Sequence, residues 1–506
     1  QVTVPPDAPL ETLQQVMTDT GWGQVPVVEN GEIIGIVTRT DLLKILAPKQ
    51  AASGQMNLAD KLEASLPPAR LALLQIVAEA AQRQQAALYV VGGFVRDLLL
   101  ERPSLDYDLV VEGDAIALGR ALVQQYGGRT TTHRRFGTAK WQIGSIRSKL
   151  AEQLSPIGGP PLDESNFPET LDLVSARREF YTHPTALPTV ERGSIKLDLH
   201  RRDFTINTLA MRLDGHYYGD LHDHWGGLAD LQAGLVRVLH SLSFVDDPTR
   251  ILRAVRFEQR FGYQIEPRTL ELLENALSLL DRVSGDRIRH ELNHMLQESA
   301  WEAMFARMSD LGVFEAIHPA LPWDQAAKER MRTGLNARIP PLWAGRPAHQ
   351  LEHPVQPAAV YLSWLIVLDA GEAVSAANRL RLPGWMSDQI QSAIAIRSMQ
   401  DEIARMSPSQ VVAKFDSQPT LSLVVCDALS NDPNFKQQVK AYFERWQSIQ
   451  PGTSGYDLRA RDIPPGPHYK RVLDALRAAW LDGKISTTEE ETALLEDLLD
   501  ELPADE

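Results

Sequence analysis

From residue 88 the chain reads Leu-Tyr-Val-Val, a short apolar run closed by Gly92-Gly93, which predicts a buried strand ending in a tight turn. The next segment, FVRDLLLE, takes helical spacing, and DYDLVV and TLDLV further on alternate like strands. This mixture runs from about residue 66 to 215 and predicts an α+β domain. Beyond about residue 228 the strand signals fade. PTRILRAVRFEQRF, RTLELLENALSLL and RIRHELNHMLQE repeat apolar residues at helical spacing, and the rest reads as nearly all helical, with Pro/Gly breaks near 340–356 and 464–467. At the other end ETLQQVMTDTGWGQ predicts a helix. VPVVEN and GEIIGIVTRTD predict two strands joined by Asn30-Gly31, and DLLKIL predicts a second helix. The expected organisation is a small module at 1–48, a linker at 49–65, an α+β head at 66–215, a helical neck at 216–300 and a helical body and tail at 301–506.

No apolar stretch reaches the roughly 18–20 residues that span a bilayer, and QVTVPPDAPLE has neither the basic nor the apolar region of a secretory signal. We therefore expect a cytoplasmic protein with no membrane partner. The chain begins with Gln1 rather than Met, which reads as a fragment lacking an upstream part. Its one cysteine, Cys426, rules out an internal disulfide framework and a Cys-based zinc site, and fits a reducing compartment. The net charge of −15 taken alone argues against nucleic acid. Local distribution matters more. The acidic excess gathers at the C-terminus (Glu489, Glu490, Glu491, Glu496, Asp497, Asp500, Glu501, Asp505, Glu506), where a solvated helix and frayed end are expected.

The candidate chemistry lies between residues 88 and 257. Gly92 and Gly93 open a helix, a natural place for phosphate to meet backbone N–H groups, although two glycines alone are weak evidence and no P-loop follows. Asp106-Tyr107-Asp108 on a strand turns both carboxylates to one face. Like charges so placed are costly unless a cation lies between them, and hard oxygen ligands suit Mg²⁺. An isolated D-x-D is usually an ordinary surface feature; following GG-x-x-R-D, it is read as a metal-binding pair. Asp247, Arg250, Ile251 and Ala254 fall near one another at helical spacing, and Arg250, Arg253 and Arg256 recur every three residues as a basic stripe, the plainer alternative being a solvated helix face. His290-Glu291-Leu292-Asn293-His294 fits a zinc-protease pattern but has no third-ligand context, and is set aside.

GG-x-x-R-D followed by D-x-D resembles the head motif of polymerase-β-type nucleotidyltransferases, in the branch of CCA-adding enzymes and bacterial poly(A) polymerases. Three further segments are similar to that branch, in the same order. They are Arg201-Arg202-Asp203-Phe204-Thr205-Ile206-Asn207, then Asp223-His-Trp-Gly226-Gly227-Leu-Ala-Asp230-Leu231, then Asp246-Asp247-Pro248-Thr249-Arg250-Ile-Leu-Arg253-Ala-Val-Arg256-Phe257. Asp246 stands where the family usually has Glu. The resemblance is strong over about 85–300 and weaker at 451–492. It implies a five-stranded type of head, catalysis by Asp106, Asp108 and a less secure Asp172, and metal binding by Asp106 and Asp108. It further implies nucleotide contacts from Gly92, Gly93, Arg96, Asp97, Arg202, Asp203, Asn207, Asp247, Arg250, Arg253 and Arg256. Asp247 and Arg250 would read the base edge as a protein template. Residues 175–198 resemble the family's flexible loop that helps select the last nucleotide. Gly35-Ile36-Val37-Thr38-Arg39-Thr40-Asp41 resembles the ribose-holding stretch of a CBS motif. An adenine nucleotide is its candidate ligand, and a half-module without a ligand the alternative.

The activity implied is AMP addition to the 3′ end of tRNA ending in CC, from ATP with Mg²⁺. The alternatives are full CCA addition, which also uses CTP, and poly(A) synthesis. A reading of another class is a CBS-type adenine-nucleotide sensor with an inactive head, which the intact D-x-D disfavours.

Overall fold

The computed structural model describes residues 3–9, 24–38, 56–102, 104–156, 159–180, 189–340, 355–461 and 463–500, with Thr12, Leu13, Val16 and Trp343 singly. The chain divides into two compact units, residues 1–176 with 209–223, and residues 177–208 with 224–506.

In the first unit β1 (Gln24–Glu29) and β2 (Glu32–Thr38) form an antiparallel hairpin. Its turn holds Asn30 at φ 51° and Gly31 at φ 90°, the pair of left-handed residues that a two-residue hairpin needs and that Asn-Gly supplies at least cost. Val4, Leu13 and Val25 close a small core against it. The predicted helix at 11–24 lies largely outside the described residues, as do Arg39, Thr40, Asp41 and the DLLKIL segment.

The head sheet is built from β3 (Ala87–Val91), β4 (Asp108–Glu112), β5 (Arg129–His133), β6 (Thr138–Gln142) and β7 (Thr170–Ser175), joined by β10 (Ala210–Arg212) and β11 (Leu221–His222). The order is β11-β10-β3-β4-β7-β6-β5; β4 and β7 run parallel and the other neighbours antiparallel. The five expected strands are thus extended to seven. Leu209, Ala210 and Met211 are wholly buried, and the chain returns to lay this apolar run along β3. The unit also holds helices α1 (Pro68–Arg83), α2 (Gly93–Leu99) and α3 (Ala115–Tyr126), with shorter helices at Ala59–Ser65, inside the expected linker, and at Arg147–Leu154. Asp114 caps α3 by accepting from the N–H groups of Ile116 and Ala117.

The second unit is helical apart from two small strand pairs. β8 (Arg177–Phe180) and β9 (Thr189–Arg192) pair antiparallel, so the described flanks of the expected flexible loop are strands; residues 181–188 lie outside the described set. β12 (Leu235–Val236) and β13 (Gln264–Ile265) pair in parallel. The helices used below are α4 (Ile195–His200), α5 (Gly227–Ala233), α6 (Ser243–Asp246), α7 (Arg250–Phe261), α8 (Gly285–Leu296), α9 (Gln325–Asn336), α10 (Val355–Leu365), α11 (Gly384–Ser398), α12 (Thr420–Leu429), α13 (Pro467–Leu481) and α14 (Thr488–Asp500). The acidic tail is not uniformly solvated. Glu491 on α14 is buried and accepts from the N–H groups of Gly452 and Thr453 and from the Trp480 indole on α13. Among the described residues no helix is long and apolar enough to cross a membrane.

Candidate active site

The acidic pair sits where the chain enters β4: Asp108 is the first residue of the strand and Asp106 precedes it, outside the expected strand. Tyr107 is buried while Asp106 and Asp108 on either side are exposed. The tyrosine ring packs edge-on against Phe94 of α2 at 5.7 Å, and the Arg70 guanidinium lies 5.7 Å from its centre. Arg70 also ties the chain on both sides of the site, donating to the carbonyls of Leu105 at 2.7 Å and Asn166 at 2.9 Å. Anchored in this way, Tyr107 turns both carboxylates toward a cavity of about 610 Å³, whose lining also includes Glu169 and Asp172.

Asp172 precedes the register pair Leu109–Leu173, so it stands beside Asp108 on the same exposed face of two parallel strands. It is also held by Lys140, whose Nζ lies 3.3 Å away. Among the described residues no three His, Cys, Asp or Glu side chains gather as a metal-enclosing group. The arrangement brings forward the pair Asp106 and Asp108, with Asp172 as a neighbour. Hard carboxylate donors on a solvent-open face suit a divalent cation that keeps most of its water shell.

Gly92 ends β3 with φ 72° and ψ −128°, a backbone conformation for glycine, and its N–H donates to the Leu209 carbonyl at 2.8 Å. A Cβ on Gly93 would meet the Arg96 guanidinium at 3.4 Å, an ordinary contact, so nothing within the chain demands glycine there. Arg96, expected to reach phosphate, is buried and clasps Asp97, with Nε 2.9 Å and Nη2 2.8 Å from Oδ1. Both residues are thus engaged with one another in this conformation.

In the second unit the polar segments singled out in the sequence knit into one network around α7. Asp203 is buried. Its carboxylate accepts from its neighbour Phe204 N–H and from Asn207 Nδ2, both at 2.9 Å, and from Arg253 Nε at 2.8 Å. Burial alone would raise its pKa, but the Arg253 guanidinium and the Asn207 amide hold it well below the usual carboxylate range. Asp203 in turn pushes Arg253 upward against the effect of burial. Arg256 is drawn down by burial, opposed by Glu291. Glu291 of α8 is buried between the two arginines, 3.5 Å from Arg253 and 3.2 Å from Arg256. The stripe is therefore neutralised from within, and is not a solvated face. The H-E-x-x-H glutamate is its counter-ion, while His290 and His294 bond to each other at 3.0 Å on the outer side.

Arg250 is also buried. It donates to Ser243 Oγ and to the Arg201 carbonyl, the latter at 2.9 Å. Asp247 lies outside α7, in extended backbone, and not on the same helix as Arg250 as its spacing suggested. Its carboxylate accepts from Thr249 and from Arg287 Nη2 at 2.7 Å. Arg202 approaches the fully buried Asp198 of α4 at 3.6 Å, and Arg201 bonds the same carboxylate at 2.9 Å. Thr205 donates to Asp230 of α5 at 2.6 Å, joining two of the sequence motifs. Asp198, Ser243, Arg287 and Glu291 are supporting residues missing from the sequence-based set. Only Asp198 left a signal, its i,i+3 and i,i+4 spacing to Arg201 and Arg202.

Comparison with known proteins bears on the family and the fold. Residues 88–237 match the poly A polymerase head domain, residues 262–324 the probable RNA and SrmB-binding site of polymerase A, and residues 1–48 a CBS domain. The chain is 32% identical to an A-adding tRNA nucleotidyltransferase of Geobacter sulfurreducens, over 98% of this chain and 56% of that protein. It is 32% identical to an A-adding tRNA nucleotidyltransferase of Halalkalibacterium halodurans, over 86% of this chain and 94% of the relative. The chain thus spans just over half of the first relative and nearly all of the second. Among solved structures, the Thermotoga maritima CCA-adding enzyme complexed with tRNA matches with a TM-score of 0.62 and 28% identity, over 88% of this chain and 99% of that one.

Proposed function

We propose that this chain, which belongs to the tRNA nucleotidyltransferase family with a poly A polymerase type of head, adds AMP from ATP to the 3′ end of tRNA ending in CC. The tRNA 3′-hydroxyl attacks the α-phosphorus in line. A new P–O bond forms, the bond to the bridging oxygen of the β-phosphate breaks, and pyrophosphate leaves. Asp106 and Asp108 would hold Mg²⁺, which supplies charge neutralisation and hydroxyl activation when bound. The observation that carries this reading is the pair of carboxylates turned outward by buried Tyr107 into a cavity large enough for a nucleotide's phosphates. Asp172, on the same face, is assigned a supporting role near the reacting groups.

The remaining roles follow from family membership and the network around α7. Gly92 and Gly93 leave room for the triphosphate, with Arg96 and Asp97 behind them. Arg202, Asp203 and Asn207 face ribose and phosphate, and Arg253 and Arg256 fix their orientation. Asp247 and Arg250 read the adenine edge, which requires Asp247 to exchange its bond from Arg287 for one from the base. We assign residues 66–215 as the head, 216–300 as the neck and 301–506 as the tRNA-holding body and tail. The CBS motif at 1–48 is assigned as an adenine-nucleotide module, and the cytoplasm as the compartment. Full CCA addition is the second reading, favoured by the match to a CCA-adding enzyme over most of the chain.

The deciding experiment offers three tRNA transcripts, ending before CCA, after C and after CC, with each triphosphate separately. AMP should enter only the transcript ending in CC, and only with magnesium. Incorporation of CMP would exclude A-only addition. Binding of adenylate without any incorporation would instead favour the sensor.

A further inference from the structure

The helical body contains another cavity, basic where the first is acidic, that plays no part in the chemistry above. Its volume is about 220 Å³. Arg330 of α9, Arg397 of α11, Gln400 and Ser430 give it polar walls, and Ile366 and Leu429 an apolar floor. No carboxylate lines it.

Two guanidinium groups sharing one small cavity repel each other, and Arg330, the half-buried one of the two, has no carboxylate beside it in the lining to offset its partial desolvation. Arg397 has one bond, from Nη1 to the Ile366 carbonyl at 3.2 Å. The Nε of Arg330 is shut off from solvent and has no hydrogen-bond partner. Burial and the charge of Arg397 both draw the Arg330 guanidinium below its ordinary range; Asp324 opposes them from outside the cavity. Asp324 itself is committed to capping α9, accepting from the Ala327 N–H at 2.6 Å. A buried donor of this kind, next to a second cation, is satisfied by a compact oxyanion. Guanidinium forks bond tetrahedral oxyanions in parallel pairs, and a neighbouring amide and hydroxyl extend the same coordination.

We propose that this cavity is a phosphate-binding site, formed by Arg330, Arg397, Gln400 and Ser430. The phosphate is either free in solution or a backbone group of RNA. The two sources share the chemistry and are separated by the experiment.

The only cysteine of the chain makes the site readable, because Cys426 lines the same cavity. Its thiol is buried and pushed up to about 12, so labelling by the uncharged reagent N-ethylmaleimide is slow in the resting protein. Ligand that fills the cavity slows it further, by roughly tenfold when inorganic phosphate is ten times its dissociation constant. The measurement uses the full chain at constant ionic strength, with chloride as the reference anion. Phosphate should protect Cys426 in the wild type and in Arg330→Lys, and should not protect it in Arg330→Gln or Arg397→Gln. Arg330→Gln should also melt at or above the wild-type temperature without phosphate, because it removes a half-buried cation whose enclosed Nε has no partner, and no hydrogen bond. In a second arm, tRNA ending in CC replaces phosphate. Protection by RNA that is lost in Arg330→Gln assigns the site to a backbone phosphate; protection by phosphate alone assigns it to the free ion. Equal labelling with and without phosphate, or protection that survives both glutamine variants, would overturn the proposal.

Discussion

Replacing Arg253 by methionine is the sharpest test of the network around α7. The change keeps much of the side chain's length and removes the charge that faces Asp203. That carboxylate is 8% exposed and receives two bonds from Arg253, one of them 2.8 Å long. Breaking a buried ion pair from one side costs about 3–5 kcal/mol, since the abandoned charge stays desolvated. Arg253 is 34% exposed, which argues for the lower end, about 3 kcal/mol. For a unit of just over 300 residues, with an unfolding entropy of about 2.1 cal/mol/K per residue, that lowers the melting temperature by roughly 4–5 °C. The pH dependence carries a sign. In the wild type Asp203 has a depressed pKa, so its contribution is present above the unfolded value of about 3.9 and lost as pH falls through the folded one. In the variant burial is no longer opposed by Arg253, and the folded pKa rises. The deficit is therefore largest at pH 7 and narrows as pH falls toward about 4. Adding Asp203→Asn should recover a large part of the loss, since no abandoned charge remains. Urea unfolding followed by circular dichroism at pH 7, 5 and 4 compares the wild type, Arg253→Met, Asp203→Asn and the double variant. A deficit that does not change with pH, or single losses that add to within about 0.5 kcal/mol, would refute the reasoning.

Asp106→Asn and Asp108→Asn should each cut nucleotide incorporation by about 10³-fold or more, with unchanged melting because both side chains are exposed; a single-turnover assay on radiolabelled tRNA decides it. Gly92→Ala should cost roughly 1–3 kcal/mol, because the backbone there has positive φ, and should depress turnover with it, as unfolding and initial-rate measurements will show. Glu291→Ala should lose about 3 kcal/mol by leaving Arg256 without its buried counter-charge, while Arg253 keeps Asp203. His290→Ala and His294→Ala should cost under about 1 kcal/mol, and neither should change the metal content measured by mass spectrometry.

Much of the candidate site was legible because its signals are local. Asp106 and Asp108 are marked by their i,i+2 spacing about the apolar Tyr107, although the strand begins only at Asp108, and Asn30-Gly31 specifies its turn through backbone freedom alone. Other features had no local signal. Arg96 reads as an available cation and is instead buried against Asp97. Asp247 and Arg250 sit three positions apart, yet the helix begins at Arg250, so the spacing that suggested a shared helical face does not apply. Glu491 belongs to a run that reads as solvated tail, but it is buried where the chain from 452 folds back onto it.

By itself the sequence determined the elements, the order of the motifs and the family to which they belong. These depend on periodicity, turn residues and residue type, each carried within a few positions of the chain. Only the tertiary structure decided which charges are neutralised and by what. Glu291 is 38 residues from Arg253 and Asp203 is 50 residues away on the other side. Coulomb interaction depends on distance in space and on the surrounding dielectric, and sequence separation records neither.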